Sequence, residues 1–238
     1  MLNVRQLCKH CFISDLSRVN MTLIPAKLTT KALVTLSLLF AACLPGQAST
    51  TLKEGTEYIK LDNPVKEAPP VVEFFSFYCP ACSSFYSPYQ VSKNIEARLP
   101  EGVKVEKYHA SFMGAMGKQL TEAWSIAKAL GVEDKVEGPL FEAVLKHRSI
   151  KSEDDIKAVF VQSGVDADEF DAARNSFMVK TLTARQEMAA EEFGLTGTPA
   201  FYVKGKYLIQ NNGMKDGSTE GYGKEFADVV HQLMTTNP

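Results

Sequence analysis

An apolar run leads directly into a pair of cysteines in residues 71–85, whose sequence is VVEFFSFYCPACSSF. A segment rich in valine and phenylalanine that stops at Cys79-Pro80 is typical of a buried strand passing into a helix. The pattern therefore predicts a strand followed by a helix whose first turn carries both Cys79 and Cys82. We expect the rest of the chain to form a frame around these two sulfur atoms.

Strand and helix patterns continue on either side of this segment. Residues 56–61 predict a short strand, and residues 103–109, with the sequence VKVEKYH, predict another by their alternation of apolar and polar positions. Between the cysteine motif and the second of these strands, residues 83–99 are expected to continue the helix that begins at Cys79. Pro88 is expected to kink that helix, because an interior proline removes a helical hydrogen bond.

The pattern changes to helix after helix over residues 117–192, with no alternating strand signal. Apolar residues at three-and-four spacing end at Gly131, and Pro139 is expected to open the next helix. Ser152-x-x-Asp155 resembles a capping box at the start of a third helix. These signals predict a compact helical block.

Strands return after the helical block. Residues 200–203 and 206–209, joined by Lys204-Gly205, predict a β-hairpin, and apolar positions over residues 226–233 predict a closing helix. Thr198-Pro199 immediately precedes the hairpin, where a proline is tolerated because it need not donate to the sheet. The predicted order is βαβ, then helices, then ββα.

The predicted position of the cysteines has a chemical consequence. Unpaired backbone N–H groups and the positive end of the helix dipole face Cys79, which favours its thiolate over its thiol. Cys79 is therefore the predicted attacking sulfur. Cys82 lies about one helical turn further on, close enough to form a disulfide with Cys79 or to resolve a mixed disulfide formed there.

Two other interpretations of the cysteine pair remain open. A zinc site needs four ligands, and no second Cys or His pair at ligand spacing follows the motif. A purely structural disulfide is also possible, although so short a loop constrains the unfolded chain little. Both interpretations have less support than a working redox pair.

A carboxylate interrupts the apolar strand at Glu73. In a strand covered on both faces, a carboxylate is costly unless it is paired. In the later strand, Lys107 shares a face with Val103 and Val105 and should point inward. Glu73 and Lys107 are therefore either a buried pair or two charges at frayed strand ends, and the pattern leaves both alternatives open.

The first 48 residues have the pattern of a secretory signal. Two lysines precede the apolar run of residues 32–43, which is too short to span a membrane, and small residues precede a predicted cut after Ala48. Met21 is the preferred start, because a start at Met1 would give an unusually long charged leader. The mature chain is then expected to begin near residue 49.

Cleavage would change the cysteine count. Cys8, Cys11 and Cys43 lie upstream of the cut, so only Cys79 and Cys82 of the five cysteines remain. An exported protein with one adjacent pair has no disulfide framework, which favours a redox role for that pair. A lipoprotein-type cut at Cys43 is a weaker alternative, because the usual leucine is missing three residues before it.

Composition and charge exclude some classes of partner. The 238 residues are 45% hydrophobic and 10% aromatic, an ordinary globular composition. Removing residues 1–48 takes away five of the 26 Lys and Arg and one of the 28 Asp and Glu, which leaves a net charge of −6. A mildly acidic protein of this kind is not expected to bind nucleic acid or an anionic membrane surface.

The motif CPAC after an apolar strand, with Thr-Pro before a late hairpin, resembles the thioredoxin fold, and more closely the DsbA family of exported thiol:disulfide oxidoreductases. The resemblance covers nearly all of residues 49–238. Its most specific parts are the segments EFFSFYCPAC, KYHASFMG, LTEAWSIAKALGVEDKVEGPLFEAV, NSFMVKTL and TGTPAFYVKGKY.

The resemblance implies an α/β protein in which a thioredoxin fold is interrupted by an inserted all-helical domain. The expected divisions are a signal peptide (residues 1–48), two thioredoxin parts (residues 49–111 and 188–238) and the helical insertion (residues 112–187).

The resemblance also implies several site residues. Thr198-Pro199 is expected to be cis and to face the cysteines, with the Thr198 backbone presented to a bound peptide. Glu73 and Lys107 match the family's buried acid and its nearby lysine, and Trp124 is expected near the disulfide.

The motif departs from the family pattern between the cysteines. Well-known members have Pro-His there, whereas this chain has Pro80-Ala81, and Thr198 replaces a frequent valine. An imidazole would help to stabilise the Cys79 thiolate and a methyl group cannot. The strength of oxidation, but not the class of chemistry, therefore depends on Ala81.

These observations predict a periplasmic thiol:disulfide oxidase that donates its Cys79–Cys82 disulfide to newly exported proteins with free thiols. A substrate thiolate would attack the exposed sulfur of Cys79, with no cofactor or metal beyond the redox-active disulfide. The resemblance implies reoxidation by a quinone-linked inner-membrane protein, and the enzyme is expected to be a monomer. The alternatives are a reductase or isomerase of the same fold, and a non-catalytic metal- or peptide-binding module.

Overall fold

The computed structural model describes residues 51–235 of the chain. The predicted signal peptide, its start at Met21, its cut after Ala48 and the three upstream cysteines lie outside the described residues.

Five strands form one mixed sheet with the order β1-β5-β4-β2-β3. They are β1 (Tyr58–Lys60), β2 (Val71–Phe75), β3 (Glu106–His109), β4 (Ala200–Val203) and β5 (Tyr207–Ile209). Strand β2 is parallel to β3 and antiparallel to β4, and β5 is antiparallel to both β4 and β1. Every residue of β2 is buried, as its apolar sequence predicts.

Within residues 51–235, the helices lie in three places. Two short helices follow β2, five helices and one π-helical turn separate β3 from β4, and one helix follows β5. They are α1 (Pro80–Tyr86), α2 (Val91–Glu96), α3 (Gly117–Leu130), α4 (Glu133–Phe141), the π turn (Glu142–Lys146), α5 (Glu153–Gln162), α6 (Ala167–Arg174), α7 (Phe177–Glu192) and α8 (Thr219–Thr235). No helix within residues 51–235 is long and apolar enough to cross a membrane. The predicted interruption of the α/β fold by helices is confirmed, whereas residues 112–187 stay a prediction for the limits of the insertion.

The apolar core of the helical block reaches the cysteines. Trp124 of α3 packs edge-on against Phe75 and Phe77, with ring centroids 5.1 and 6.0 Å apart. Cys79 and Cys82 belong to the same buried apolar cluster. The inserted helices therefore share one apolar core with the cysteines.

Pro88 ends a helix instead of kinking one. Helix α1 stops at Tyr86, and α2 begins separately at Val91. Proline lacks the N–H that would continue the helical ladder, and it disfavours helical geometry at the residue before it. The prediction of one kinked helix over residues 83–99 is therefore wrong.

Pro139 lies inside helix α4 and does not open it. The helix begins six residues earlier, where Glu133 and Asp134 occupy its first turn and complement the positive end of the helix dipole. The π turn follows α4 directly. The predicted start at Pro139 is wrong, because acidic residues at a helix start were the stronger signal.

Two local predictions are confirmed. The Ser152 hydroxyl accepts from the Asp155 N–H, and the Asp155 carboxylate accepts from the Ser152 N–H, which is a complete capping box. Strands β4 and β5 form the predicted hairpin. Lys204 and Gly205 connect them with φ angles of 53° and 61°, as a tight turn matched to the strand twist requires.

Candidate active site

Cys79 caps the start of helix α1. It is the N-cap residue, directly before the first turn, and Cys82 lies within that turn. The Cys82 N–H donates to the Cys79 Sγ atom at 3.2 Å. Pro80 occupies the first helical position, where its missing N–H leaves no internal hydrogen bond unmade. Pro80 and Ala81 are both exposed.

The two sulfur atoms are free thiols and both are largely covered. Cys79 is 5% exposed and Cys82 is 1% exposed. The sequence led us to expect an exposed sulfur at Cys79, and the structure corrects this: Cys79 lies within the buried apolar cluster and against the Thr198 carbonyl. Cys79 is nevertheless the more accessible of the pair.

The two thiols have opposite pKa shifts. A hydrogen bond from the Cys82 thiol is the largest cause that lowers the pKa of Cys79 to about 6, against the opposing effect of burial. The Thr198 side chain and the N–H groups of Cys82 and Ala81 lower it further. Burial raises the pKa of Cys82 well above its ordinary value. At neutral pH the pair therefore holds one thiolate, on Cys79, and one proton, on Cys82.

The Thr198-Pro199 segment lies against Cys79. Its peptide bond is cis, and the Cys79 thiol donates to the Thr198 carbonyl oxygen at 3.4 Å. The Thr198 hydroxyl donates to the Met113 sulfur at 3.3 Å, and the Asn211 amide donates to the Pro199 carbonyl at 2.8 Å. The fold thus brings a loop 119 residues away in sequence to the predicted attacking sulfur.

Glu73 and Lys107 form a buried ion pair. The parallel register of β2 and β3 places them opposite each other, with Lys107 Nζ 3.4 Å from Glu73 Oε2. The Ser92 hydroxyl donates to the same carboxylate oxygen at 2.6 Å. The Glu73 side chain is 4% exposed, so the alternative of two charges at frayed strand ends does not describe this structure.

Lys107 has a second carboxylate partner that the sequence analysis missed. Its ammonium group also contacts the Glu137 carboxylate, on helix α4. Burial is the largest single effect on the pKa of Lys107 and lowers it, but attraction to Glu73 and Glu137 together raises it above its usual value. The signal in the sequence was a glutamate one turn before the apolar Leu140 and Phe141, where a helix face is expected to be buried.

His109 is a second residue that the sequence analysis did not single out. Its Nε2 atom accepts from the Phe77 N–H at 3.1 Å, and its Nδ1 atom lies 2.8 Å from the Thr121 hydroxyl. Complete burial lowers the pKa of His109 to about 3, so the ring is neutral. It therefore orders the segment that leads into Cys79 without adding charge.

Trp124 joins the helical block to the same region. Its indole N–H donates to the Lys107 carbonyl oxygen at 3.0 Å, and the side chain is fully buried. Within residues 51–235 no group of three or more His, Cys, Asp or Glu side chains is arranged to hold a metal ion. The thiols share an apolar cluster with Phe75, Phe77 and Trp124, and Trp124 also bonds the backbone of Lys107.

Comparisons with known proteins show which family the chain resembles. Residues 70–219 match the family model described as DSBA-like thioredoxin domain. The thiol:disulfide interchange protein DsbA of Pectobacterium carotovorum subsp. carotovorum is 47% identical over 204 residues, covering 86% of this chain and 96% of the relative. The protein of the same name from Yersinia pestis is 49% identical over 182 residues, covering 76% and 88%.

Solved structures show the same likeness. The crystal structure of the disulfide oxidoreductase DsbA from Proteus mirabilis has 45% sequence identity and a TM-score of 0.76, covering 78% of this chain and 98% of that one. A complex of the Proteus protein with a non-covalently bound peptide, PWATCDS, has 44% identity and a TM-score of 0.75, covering 78% and 100%.

Proposed function

The chain belongs to the DSBA-like thioredoxin domain family, and from that membership we propose that it donates the Cys79–Cys82 disulfide to newly exported proteins in the periplasm. It is a thiol:disulfide oxidoreductase, as its relatives are. The structural observation that supports it best is the asymmetry of the two thiols: Cys79 caps helix α1 and accepts from the Cys82 N–H, which favours its thiolate, whereas Cys82 is 1% exposed and its pKa is raised by burial.

The reaction follows from that asymmetry. A substrate thiolate attacks the Cys79 sulfur of the oxidised enzyme, the bond between the two enzyme sulfurs breaks, and its electron pair goes to Cys82. Cys82 takes up a proton, because burial disfavours its thiolate. A second substrate thiolate then attacks the substrate sulfur of the mixed disulfide, and Cys79 leaves as a thiolate. Two electrons pass from the substrate to the enzyme, and a good leaving group at Cys79 favours this direction.

We assign the bound substrate segment to the surface beside Thr198, Pro199 and the exposed Pro80-Ala81 pair. The contact between Cys79 and the Thr198 carbonyl supports this placement, since a peptide at Thr198 would lie next to the attacked sulfur. The Proteus relative was solved with a non-covalently bound peptide, which supports peptide binding by this chain. No cofactor is needed for the exchange, because the disulfide itself carries the electrons.

Turnover requires an electron acceptor for the reduced enzyme. We propose a quinone-linked inner-membrane protein in this role. We also propose that a cleavable signal directs the enzyme to the periplasm, and that the enzyme acts there as a monomer. The proposed division places the catalytic residues in the two thioredoxin parts and the helical insertion at residues 112–187.

The test is an equilibrium titration of the exported, purified protein against glutathione buffers of different redox potential. We expect a potential more oxidising than the glutathione pool, and rapid formation of a disulfide in a reduced two-cysteine substrate protein. A reductase of the same fold would instead equilibrate near the potential of thioredoxin, about −270 mV.

The Cys82→Ser variant separates the enzyme from a non-catalytic binding module. Without the resolving thiol, mixed disulfides with substrate proteins should accumulate through Cys79 and be seen by mass spectrometry. Unchanged substrate binding in Cys82→Ser, with no covalent adduct, would favour the binding module.

A further inference from the structure

A solvent-open cleft leads to the ion pair of Glu73 and Lys107. Its volume is about 530 Å³, and its lining includes Glu73 and Lys107 from the sheet, Glu137 from helix α4, and Phe85 and Tyr86 from helix α1. The cleft is large enough for several water molecules and has the polar groups to hold them. It therefore connects the Lys107 cluster with bulk solvent.

Glu137 places a second carboxylate on the single ammonium group of this cluster. Its side chain is 7% exposed and contacts Lys107, as the Glu73 carboxylate also does. One ammonium group can neutralise only one of two buried carboxylates. Protonation of the other carboxylate is therefore favoured, because it removes an unpaired buried charge.

The surroundings of Glu137 support an exchangeable proton on its carboxyl group. Burial, the largest effect, raises the pKa of Glu137 to about 7, in spite of the lowering effect of Lys107. Glu73 on β2 and Asp134 on the same helix raise it further. The other titratable and charged groups that face the cleft are Tyr86 on α1, Lys93 and Glu96 on α2, and Lys104 before β3.

Helix α1 connects the cleft with the cysteines. Phe85 and Tyr86 follow Cys82 by three and four residues, so they lie on the same helix face, about 6 Å along the axis. Cys82 is the sulfur that must gain or lose a proton in each reaction, because burial disfavours its thiolate. The cleft thus reaches α1 one turn beyond Cys82, at Tyr86, whose side chain also lies beside Gly138 of α4, the residue after Glu137.

We propose that Glu137 is a positioning residue for disulfide exchange, which holds Lys107 and passes a proton between the cleft and Cys82. When the Cys79–Cys82 bond breaks, Cys82 receives the electron pair and the cluster supplies a proton from the Glu137 carboxyl group. Glu137 is left as a carboxylate beside Lys107 and regains a proton from water in the cleft. Oxidation of the thiols runs the same transfer in reverse. The inference rests on the proposed oxidoreductase function and assigns one residue within it.

The experiment compares Glu137→Gln with the exported wild-type protein. The rate of reduction of the oxidised protein by excess dithiothreitol is followed by alkylation of new thiols and divided by the reagent thiolate concentration at each pH. The wild-type value should fall as pH rises through about 7, because the protonated carboxyl group is lost. Glu137→Gln should lack this step and should be reduced about tenfold more slowly than the wild type at acidic pH. This loss of rate is smaller than the roughly hundredfold loss on removing an acid or base that touches the reacting atoms, because water in the cleft also delivers protons.

Two further variants make the result specific. Glu142→Gln changes an exposed carboxylate just after α4 and should keep the wild-type profile. Glu137→Asp keeps a titrating carboxyl group and should restore the step. A wild-type profile in Glu137→Gln would overturn the inference and leave the oxidoreductase function intact, whereas a wild-type protein that is not reduced at all would overturn the function.

A spectroscopic measurement covers a Glu137→Gln protein that fails to fold. Infrared spectra of the wild-type protein should show the C=O band of a buried carboxylic acid that titrates near pH 7 and changes between the oxidised and reduced forms. A carboxyl band without that titration, or identical in both redox forms, would also overturn the inference.

Discussion

At the scale of single residues, the chemistry depends on two cysteines with opposite surroundings. Cys79 receives hydrogen bonds from the Cys82 thiol and from backbone N–H groups, whereas Cys82 is enclosed by apolar side chains. One contact opposes the thiolate, because the Thr198 carbonyl can accept only from the protonated Cys79. The low pKa of Cys79 therefore reflects donors that outweigh both burial and this carbonyl.

The first prediction concerns alkylation of the reduced protein. The rate of reaction of Cys79 with iodoacetamide should rise with pH through about 6 and level off above it, because only the thiolate reacts. Cys82→Ala removes the largest contribution and should raise the midpoint by about one unit or more, whereas Cys82→Ser keeps an O–H donor and should stay nearer to the wild type. Equal midpoints in all three proteins would mean that the Cys82 side chain does not stabilise the thiolate.

At the scale of elements, the junction between β2 and α1 fixes the reactive sulfur. Strand β2 is held by neighbours on both sides, and Cys79 stands at the point where α1 begins. Helix α1 has only seven residues, so its whole dipole is small. The direct N–H donors of its first turn, more than the helix as a whole, therefore stabilise the thiolate.

The second prediction adds a donor to this junction. In Ala81→His, an imidazole at the exposed position 81 should donate to the Cys79 thiolate or place positive charge beside it. A fall of one unit in the pKa of Cys79 stabilises the thiolate by about 1.4 kcal/mol. For a two-electron couple, this free energy corresponds to a rise of about 30 mV in the redox potential. Thiolate absorbance against pH and glutathione equilibration measure the two quantities.

Ala81→Gln is a suitable control for the histidine, since it adds a polar side chain without a titrating charge. Unchanged pKa and potential in Ala81→His would mean that backbone donors already saturate the Cys79 sulfur. A raised potential with an unchanged pKa would point to the thiol or disulfide form instead of the thiolate.

At the scale of the whole molecule, the helical block supplies part of the site. The Gln186 side chain accepts from the His109 N–H at 2.7 Å, Trp124 donates to the Lys107 carbonyl, and Glu137 contacts Lys107. Each contact joins a helix of the block to strand β3. Changes in the block should therefore reach the cysteines through β3 and through the shared apolar core.

The third prediction uses the single tryptophan of the chain as a reporter of that connection. Trp124 shares a buried cluster with both cysteines, so its fluorescence emission should change when the disulfide is reduced. A protein with both cysteines changed to serine should show no change on addition of reductant. Identical spectra of the oxidised and reduced wild type would mean that Trp124 is an ordinary core residue whose environment does not depend on the oxidation state of the cysteines.

The sequence by itself determined the features that depend on neighbouring residues. The buried strand, the cysteine helix, the capping box at Ser152 and the hairpin turn at Lys204-Gly205 follow from hydrophobic period, capping and turn chemistry, which act over a few residues. The resemblance then indicated the inserted helices and the approach of Thr198 to Cys79.

Only the tertiary structure decided which distant groups meet. Lys107 has partners 34 residues before it and 30 residues after it, and no local pattern chooses between a paired and an exposed lysine. Cys79 is likewise enclosed with residues far along the chain, in the apolar cluster that includes the helical block and at the Thr198 carbonyl. The physical reason is that burial and charge pairing depend on how packed elements enclose a side chain, whereas helix and strand patterns depend on the backbone geometry of adjacent residues.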